Sequence, residues 1–230
     1  MNWSRLARSE TLDRGTVAVA PSLLACDFAR LEDEVKAVEK TGVEFLHLDV
    51  MDGHFVPNLT FGPLLVEAIS RVATVALDTH LMIEAPSRYL GAFADAGADI
   101  LTIHVEAEGV DVSRDLKTIR DRGVKAGLSF NPDRTIADAE AYLDQIDLLL
   151  VMSVFPGFGG QSFMESVLPS VEKAAAIREK RGLRFAIEID GGINPETAVR
   201  AREAGVDILV AGTAIFRQDD YAAAIAAIRG

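Results

Sequence analysis

From position 17 onward the chain repeats one pattern: a short apolar, β-branched run, a turn, then an amphipathic stretch. The apolar runs fall at 17–21, 43–50, 75–82, 100–105, 124–130, 146–154, 184–190 and 207–211. Between them apolar residues recur at helical spacing, as in Leu31-x-x-x-Val35-x-x-Val38 and Val167-x-x-x-Val171-x-x-x-Ala175. Asp27 is placed to cap the helix after it, and Pro195 suits a first helical position after Asn194. Gly42, Gly97, Gly123, Gly182 and Gly205 stand where a helix should stop before the next strand. Strands alternating with helices imply parallel pairing through right-handed crossovers. Eight such units with no linker between them predict a single-domain (β/α)8 TIM barrel over 16–230, with a doubly wound open sheet as the alternative.

A barrel of this kind carries its chemistry at the C-terminal ends of the strands. The second run reads Phe45-Leu-His47-Leu-Asp49-Val-Met51-Asp52-Gly53, and strand alternation puts His47, Asp49 and Met51 on one face. The leucines between them belong against the helices, so His47 and Asp49 point into the barrel. The third run ends Asp78-Thr-His80-Leu-Met82, and the seventh ends Glu188-Ile-Asp190-Gly191-Gly192. His47, Asp49, His80 and Asp190 thus make a set of two imidazoles and two carboxylates fit for Zn²⁺ or Fe²⁺. The competing reading has hydrogen-bonded core histidines and aspartates that cap loops; all four facing inward at strand ends favours the metal. His54 is expected to be solvated or hydrogen-bonded in its loop. His104 and Glu106 are either a pair behind the ligands or structural support.

Three glycine-bearing turns border the same mouth: 153–163 with Pro156-Gly-Phe-Gly-Gly-Gln161, then Asp190-Gly191-Gly192, then Ala211-Gly212-Thr213. Glycines let backbone N–H groups converge on one anion, and the turns after strands seven and eight are a frequent phosphate site in barrels. Met51, Met82 and Met152 end strands beside them, either as core filling or as an apolar cap that excludes water.

The net charge of −12 disfavours nucleic acid and anionic membrane surfaces as partners. It also implies that a bound phosphate relies on backbone dipoles and a metal, because no cluster of Arg or Lys is evident. Every lysine lies on an expected helix or, for Lys125, at the wrong end of a strand, which disfavours Schiff-base chemistry. Cys26 is the lone cysteine, compatible with a reducing, cytoplasmic setting. Residues 1–15 carry Arg5, Arg8 and Arg14 without the apolar stretch of a secretory signal, and Glu10 and Asp13 are out of character for a transit peptide. They are expected to form a flexible arm or an oligomer contact.

These strings together resemble the ribulose-phosphate 3-epimerase family over nearly everything from Thr16 onward: Ala20-Pro-Ser22, His47 to Asn58, His80-Leu-Met82, the PGFGGQ loop, Glu188 to Gly192 and Ala211-Gly-Thr213. The resemblance implies one divalent metal per chain, Zn²⁺ or Fe²⁺ before Mn²⁺ or Co²⁺, on the four residues named above. It makes Asp49 the proton acceptor and Asp190 the proton donor. It assigns substrate contacts to Ser22, His80 and Asp190, to Gly157, Phe158, Gly159 and Gly160, and to Gly191, Gly192, Gly212 and Thr213. A sugar phosphate is the implied small-molecule partner, and a homo-oligomer is expected. Phe155 and the segment 129–133 depart from the usual pattern and are expected to bear on loop packing rather than on the chemistry.

The expected reaction is reversible epimerisation of D-ribulose 5-phosphate to D-xylulose 5-phosphate, in the pentose phosphate pathway. It requires removing a proton beside a ketone and returning one to the opposite face through an enediolate. The alternatives are allulose 6-phosphate 3-epimerase, a metal-dependent phosphosugar hydrolase, and a sugar-phosphate binding protein without catalysis.

Overall fold

The computed structural model describes residues 17–230; the N-terminal arm expected at 1–15 lies outside them. Eight strands run parallel in one sheet: β1 (Ala18–Pro21), β2 (Phe45–Met51), β3 (Ala76–Met82), β4 (Ile100–His104), β5 (Lys125–Phe130), β6 (Leu148–Met152), β7 (Ala186–Asp190) and β8 (Ile208–Ala211). Each lies within about two residues of its apolar run, the ordinary error of strand ends. Neighbours pair in chain order, and β1 pairs with β8. A parallel bridge between Ser22 and His47 joins β1 to β2 and closes the ring. The open sheet is thereby excluded.

The helices that return each strand are α1 (Leu31–Glu39), α2 (Pro63–Val72), α3 (Leu90–Asp95), α4 (Val112–Asp121), α5 (Ile136–Ala139), α6 (Leu168–Arg181), α7 (Pro195–Ala204), the short α8 (Thr213–Phe216) and α9 (Tyr221–Arg229). Asn194 caps α7, accepting from the N–H groups of Glu196 and Thr197, with Pro195 next to it. Asp27 caps a 3₁₀ turn, Phe28–Arg30, that leads into α1. Gly182 and Gly205 end α6 and α7 in left-handed conformations at φ 63° and 103°, which a β-carbon would strain.

Strand alternation sorts the core into two parts. Leu46, Leu48, Leu77 and Leu101 face the helices in the outer shell of the core. Ala18, Phe45, Ala76, Ile100, Leu148 and Ile208 plug the N-terminal end of the barrel interior. Above this dry plug the inward positions turn polar, with His47, Asp78, His80, Thr102, His104 and Glu188 all fully or almost fully buried. Burying polar groups in a barrel axis is costly unless they are paired or hold a ligand, so this layer marks where stability yields to function.

Candidate active site at the barrel mouth

A cavity of about 710 Å³ opens at the C-terminal end of the strands, lined by Ser22, Asp49 and Asp190, by the three methionines, and by all three glycine turns. His47 and His80 lie beneath its floor with no exposed surface. Ligand atoms of His47, Asp49, His80 and Asp190 all come within 4.8 Å of one another. Register explains the meeting: Asp49 pairs with His80 across β2 and β3, while β7 brings Asp190 from the other side.

The four residues fit a metal ion on their own geometry. His47 Nε2 and His80 Nδ1 each lie 3.5 Å from Oδ1 of Asp49. Both are buried with no hydrogen-bond partner among the described residues, and such orphans are rare unless something is meant to bind them. The remaining nitrogens are occupied. Nδ1 of His47 contacts Oδ2 of Asp78 at 2.5 Å, and Nε2 of His80 meets Nε2 of His104 at 2.8 Å. The two histidines therefore present opposite nitrogens to one place.

The electrostatics separate the two aspartates. Burial works against ionising Asp49, but His47 and then His80 outweigh it and hold the carboxyl far below its usual range. Burial and the Asp49 charge push Asp190 the other way, up to about 7. Burial opposes charge on His47, yet Asp78 and Asp49 raise it well above the ordinary value. The positive charge these carboxylates attract is the one a metal ion would supply in its place. Burial, helped by His104 and His47, lowers His80 to about 4, which leaves its ring free to ligate.

Ser22, expected against substrate, donates to Oδ2 of Asp49 at 2.6 Å. Met51 and Met82 pack with Val56, Leu24 and Phe55 on one side of the cavity, and Met152 packs with Leu150 and Val154 on the other. The glycine loop is braced: the Gln161 side-chain amide donates to the carbonyls of Phe155 and Phe158. Asn58 donates to the Gly157 carbonyl at 2.6 Å, tying this loop to the one after β2. A β-carbon at Gly192 would collide with the backbone N of Phe163. The second Gly of that turn is thus required by close loop packing as well as by its φ of 64°. His54 is exposed and bonded within its own loop to the Asp52 carbonyl.

Three features go beyond the sequence reading. Arg217, just past α8, lines the cavity and is the only Lys or Arg that does so among the described residues, so the mouth is not without a cation. The loop after β5 contacts the residues behind His80, because the Asn131 N–H donates to Glu106, which in turn meets His104. A further group went unassigned: Glu188 lies buried beside Asp78 and His47, where burial and the Asp78 charge push its carboxyl well above the ordinary range. Its inward place on β7, two before Asp190, was the available signal.

Comparison with known proteins points to one family. Residues 18–216 match the family described as the ribulose-phosphate 3 epimerase family. A ribulose-phosphate 3-epimerase of Bacillus subtilis is 50% identical over 93% of this chain and 99% of its own length. The chloroplastic ribulose-5-phosphate-3-epimerase of Arabidopsis thaliana is 43% identical over 97% of this chain and 80% of the relative. Among solved structures, KGPDC from Streptococcus mutans superposes with a TM-score of 0.69 at 18% identity, covering 93% of this chain and 95% of the other. That likeness speaks to the barrel alone.

Proposed function

The chain belongs to the ribulose-phosphate 3-epimerase family, and from that premise we propose how the residues at the barrel mouth invert carbon 3 of D-ribulose 5-phosphate to give D-xylulose 5-phosphate. The observation that carries the reading is the pair Asp49 and Asp190, with oxygens within 4.8 Å and proton affinities driven in opposite directions. In the metal-free fold these opposite shifts leave Asp49 ionised and give Asp190 the higher proton affinity, the division that an acid–base pair needs.

Asp49 takes the C3 proton from one face, and Asp190 delivers its own to the other; in the reverse reaction the roles exchange. Strands β2 and β7 lie nearly across the ring, so the substrate carbon sits between them. Ser22 holds one oxygen of Asp49 and so orients the base. A divalent metal, Zn²⁺ or Fe²⁺ by the donor set, would be held by His47, Asp49, His80 and Asp190 and would stabilise the negative charge that builds on the ketose oxygens. Met51, Met82 and Met152 keep bulk water from that charge. Backbone N–H groups of the turns at Gly191–Gly192 and Gly212–Thr213, with the 157–160 loop, hold the phosphate, and Arg217 adds one positive charge at the rim.

Two carboxylates that address one carbon from different strands favour inversion by proton transfer over hydrolysis. Purified, metal-loaded protein should epimerise ribulose 5-phosphate faster than allulose 6-phosphate, assayed side by side. Phosphate release without epimerisation would overturn the reading. No described helix is long and apolar enough to cross a membrane. We place the protein in the cytoplasm, where the free, buried Cys26 would stay reduced. Exposed Leu59 and Tyr89 beside a second cavity support a homo-oligomer, which light scattering would test.

A further inference from the structure

We propose that His104 and Glu106 are positioning residues that fix the tautomer of His80, so that Nδ1 of His80 is the nitrogen offered to the metal. The inference rests on the metal reading above and concerns residues that touch neither substrate nor ion.

The argument is a count of protons along one buried line. Nε2 of His80 faces Nε2 of His104 at 2.8 Å. Two lone pairs or two N–H groups at that distance repel, so one proton must lie between them. Nδ1 of His104 lies 3.1 Å from Oε1 of Glu106. The same oxygen accepts the backbone N–H of Asn131 at 2.9 Å, which identifies it as an acceptor. The His104 proton therefore sits on Nδ1, its Nε2 carries the lone pair, and the proton between the rings belongs to Nε2 of His80. A neutral His80 then has its lone pair on Nδ1, the orphaned atom 3.5 Å from Asp49 Oδ1.

Surroundings hold this arrangement in place. His80 and His104 have no exposed surface, and the Glu106 side chain is 9% exposed. The two imidazoles meet edge to edge with their planes 21° apart and centroids at 5.0 Å, and Phe55 covers His104 at 4.8 Å. His47 reaches the same end by a shorter route, since Asp78 meets its Nδ1 directly and leaves Nε2 for the metal. Carboxylates behind metal-binding histidines commonly set ring orientation and tautomer in this way. Here an imidazole is interposed between the carboxylate and the ligand. Were both nitrogens of His104 protonated, the line would reverse and His80 would turn an N–H toward the metal.

The test is a long-range ¹H–¹⁵N spectrum of histidine-labelled protein, with and without Zn²⁺, alongside Zn²⁺ affinity by chelator competition. The expected spectrum shows His80 protonated on Nε2 and His104 on Nδ1 in both forms. Glu106→Met should raise the population of His80 protonated on Nδ1 and weaken Zn²⁺ binding by about 10–100-fold. Glu106→Gln, which keeps an acceptor, should stay within a few-fold of the wild type. A wild-type spectrum with the proton on Nδ1 of His80, or unchanged Zn²⁺ affinity in Glu106→Met, would overturn the inference. The wild-type spectrum decides even if that variant does not fold. Protein with the expected tautomers that binds no Zn²⁺ would refute the metal reading and leave this assignment standing.

Discussion

Ser22 donates its hydroxyl proton to Oδ2 of Asp49 at 2.6 Å, across the seam where the bridge from Ser22 to His47 closes the barrel. Barrel closure and orientation of the proposed base are thus one contact. It also divides the carboxylate: Oδ2 is held by the serine, while Oδ1 faces the two histidines. Hydrogen bonds to charged groups contribute about 1.5–3 kcal/mol. Ser22→Ala should therefore lower kcat by about 10–100-fold, with metal content unchanged. Steady-state kinetics paired with elemental analysis would check this, and loss of metal in step with activity would argue that the serine only supports the site.

With Asp190 as a proposed ligand, proton and metal would compete for it. Its carboxyl moves from an ordinary 3.8 to about 7 in the metal-free fold. Between those values the folded state holds more protons than the unfolded chain, so stability from this group falls as pH rises through the window. Metal binding has the opposite dependence, because the ligand must first lose its proton. Affinity for Zn²⁺ should rise toward pH 7 and level off above it for this group. Calorimetry near pH 6 in buffers of different ionisation enthalpy should show proton release on binding, and none would count against Asp190 as a ligand.

Gly192 combines a φ of 64° with a β-carbon position that would collide with Phe163. Gly192→Ala should push the 155–163 loop off the cavity and raise KM for ribulose 5-phosphate by about tenfold or more, with full metal occupancy; each 1.4 kcal/mol of lost binding is a factor of ten. An unchanged KM in the folded variant would show that the turn does not hold the phosphate.

Among the described residues Arg217 is the one Lys or Arg lining the cavity, in a chain of net charge −12. A single exposed cation attracts a phosphate dianion through water and is screened by salt. Arg217→Gln should lower kcat/KM a few-fold at low ionic strength, leave kcat near its wild-type value, and lose the difference at high salt. Parallel salt profiles for the two proteins would remove Arg217 from substrate capture.

The barrel and the inward side chains of His47, Asp49 and His80 were legible because each depends on periodicity within a single strand. Alternation around His47 and Asp49 fixes which side chains face inward whatever the neighbours do. Sequence offered His104 and Glu106 as a pair behind the ligands or as structural support, but not the line that joins them to His80 and Asn131. That line needs the register of β3 against β4 and the path of the loop after β5, neither of which periodicity gives. Asp78 and Glu188 share that fate, adjacent only because strands four apart in order face each other across the interior. Arg217 was missed for another reason: it lies past a short helical turn, and only the folded path returns its side chain to the mouth.

Two separate bases make a further demand that a single base would not. Inversion at C3 requires a proton delivered opposite to the one removed, and Asp49 and Asp190 approach from β2 and β7. A single carboxylate would have to carry its proton around a held intermediate inside a cavity walled by Met51, Met82 and Met152. With two, the returning proton comes from a carboxyl that equilibrates with solvent between turnovers. Early product formed in heavy water should therefore carry deuterium at C3. Asp190→Asn should abolish epimerisation, and if it retains metal, Asp49 should still exchange the substrate's own C3 proton. Metal content has to be measured first, since each aspartate is also a proposed ligand and either variant can fail by losing the ion. Early wild-type product that kept most of its original C3 hydrogen would mean that one base removes and returns the same proton, and the assignment of opposed roles to Asp49 and Asp190 would be wrong.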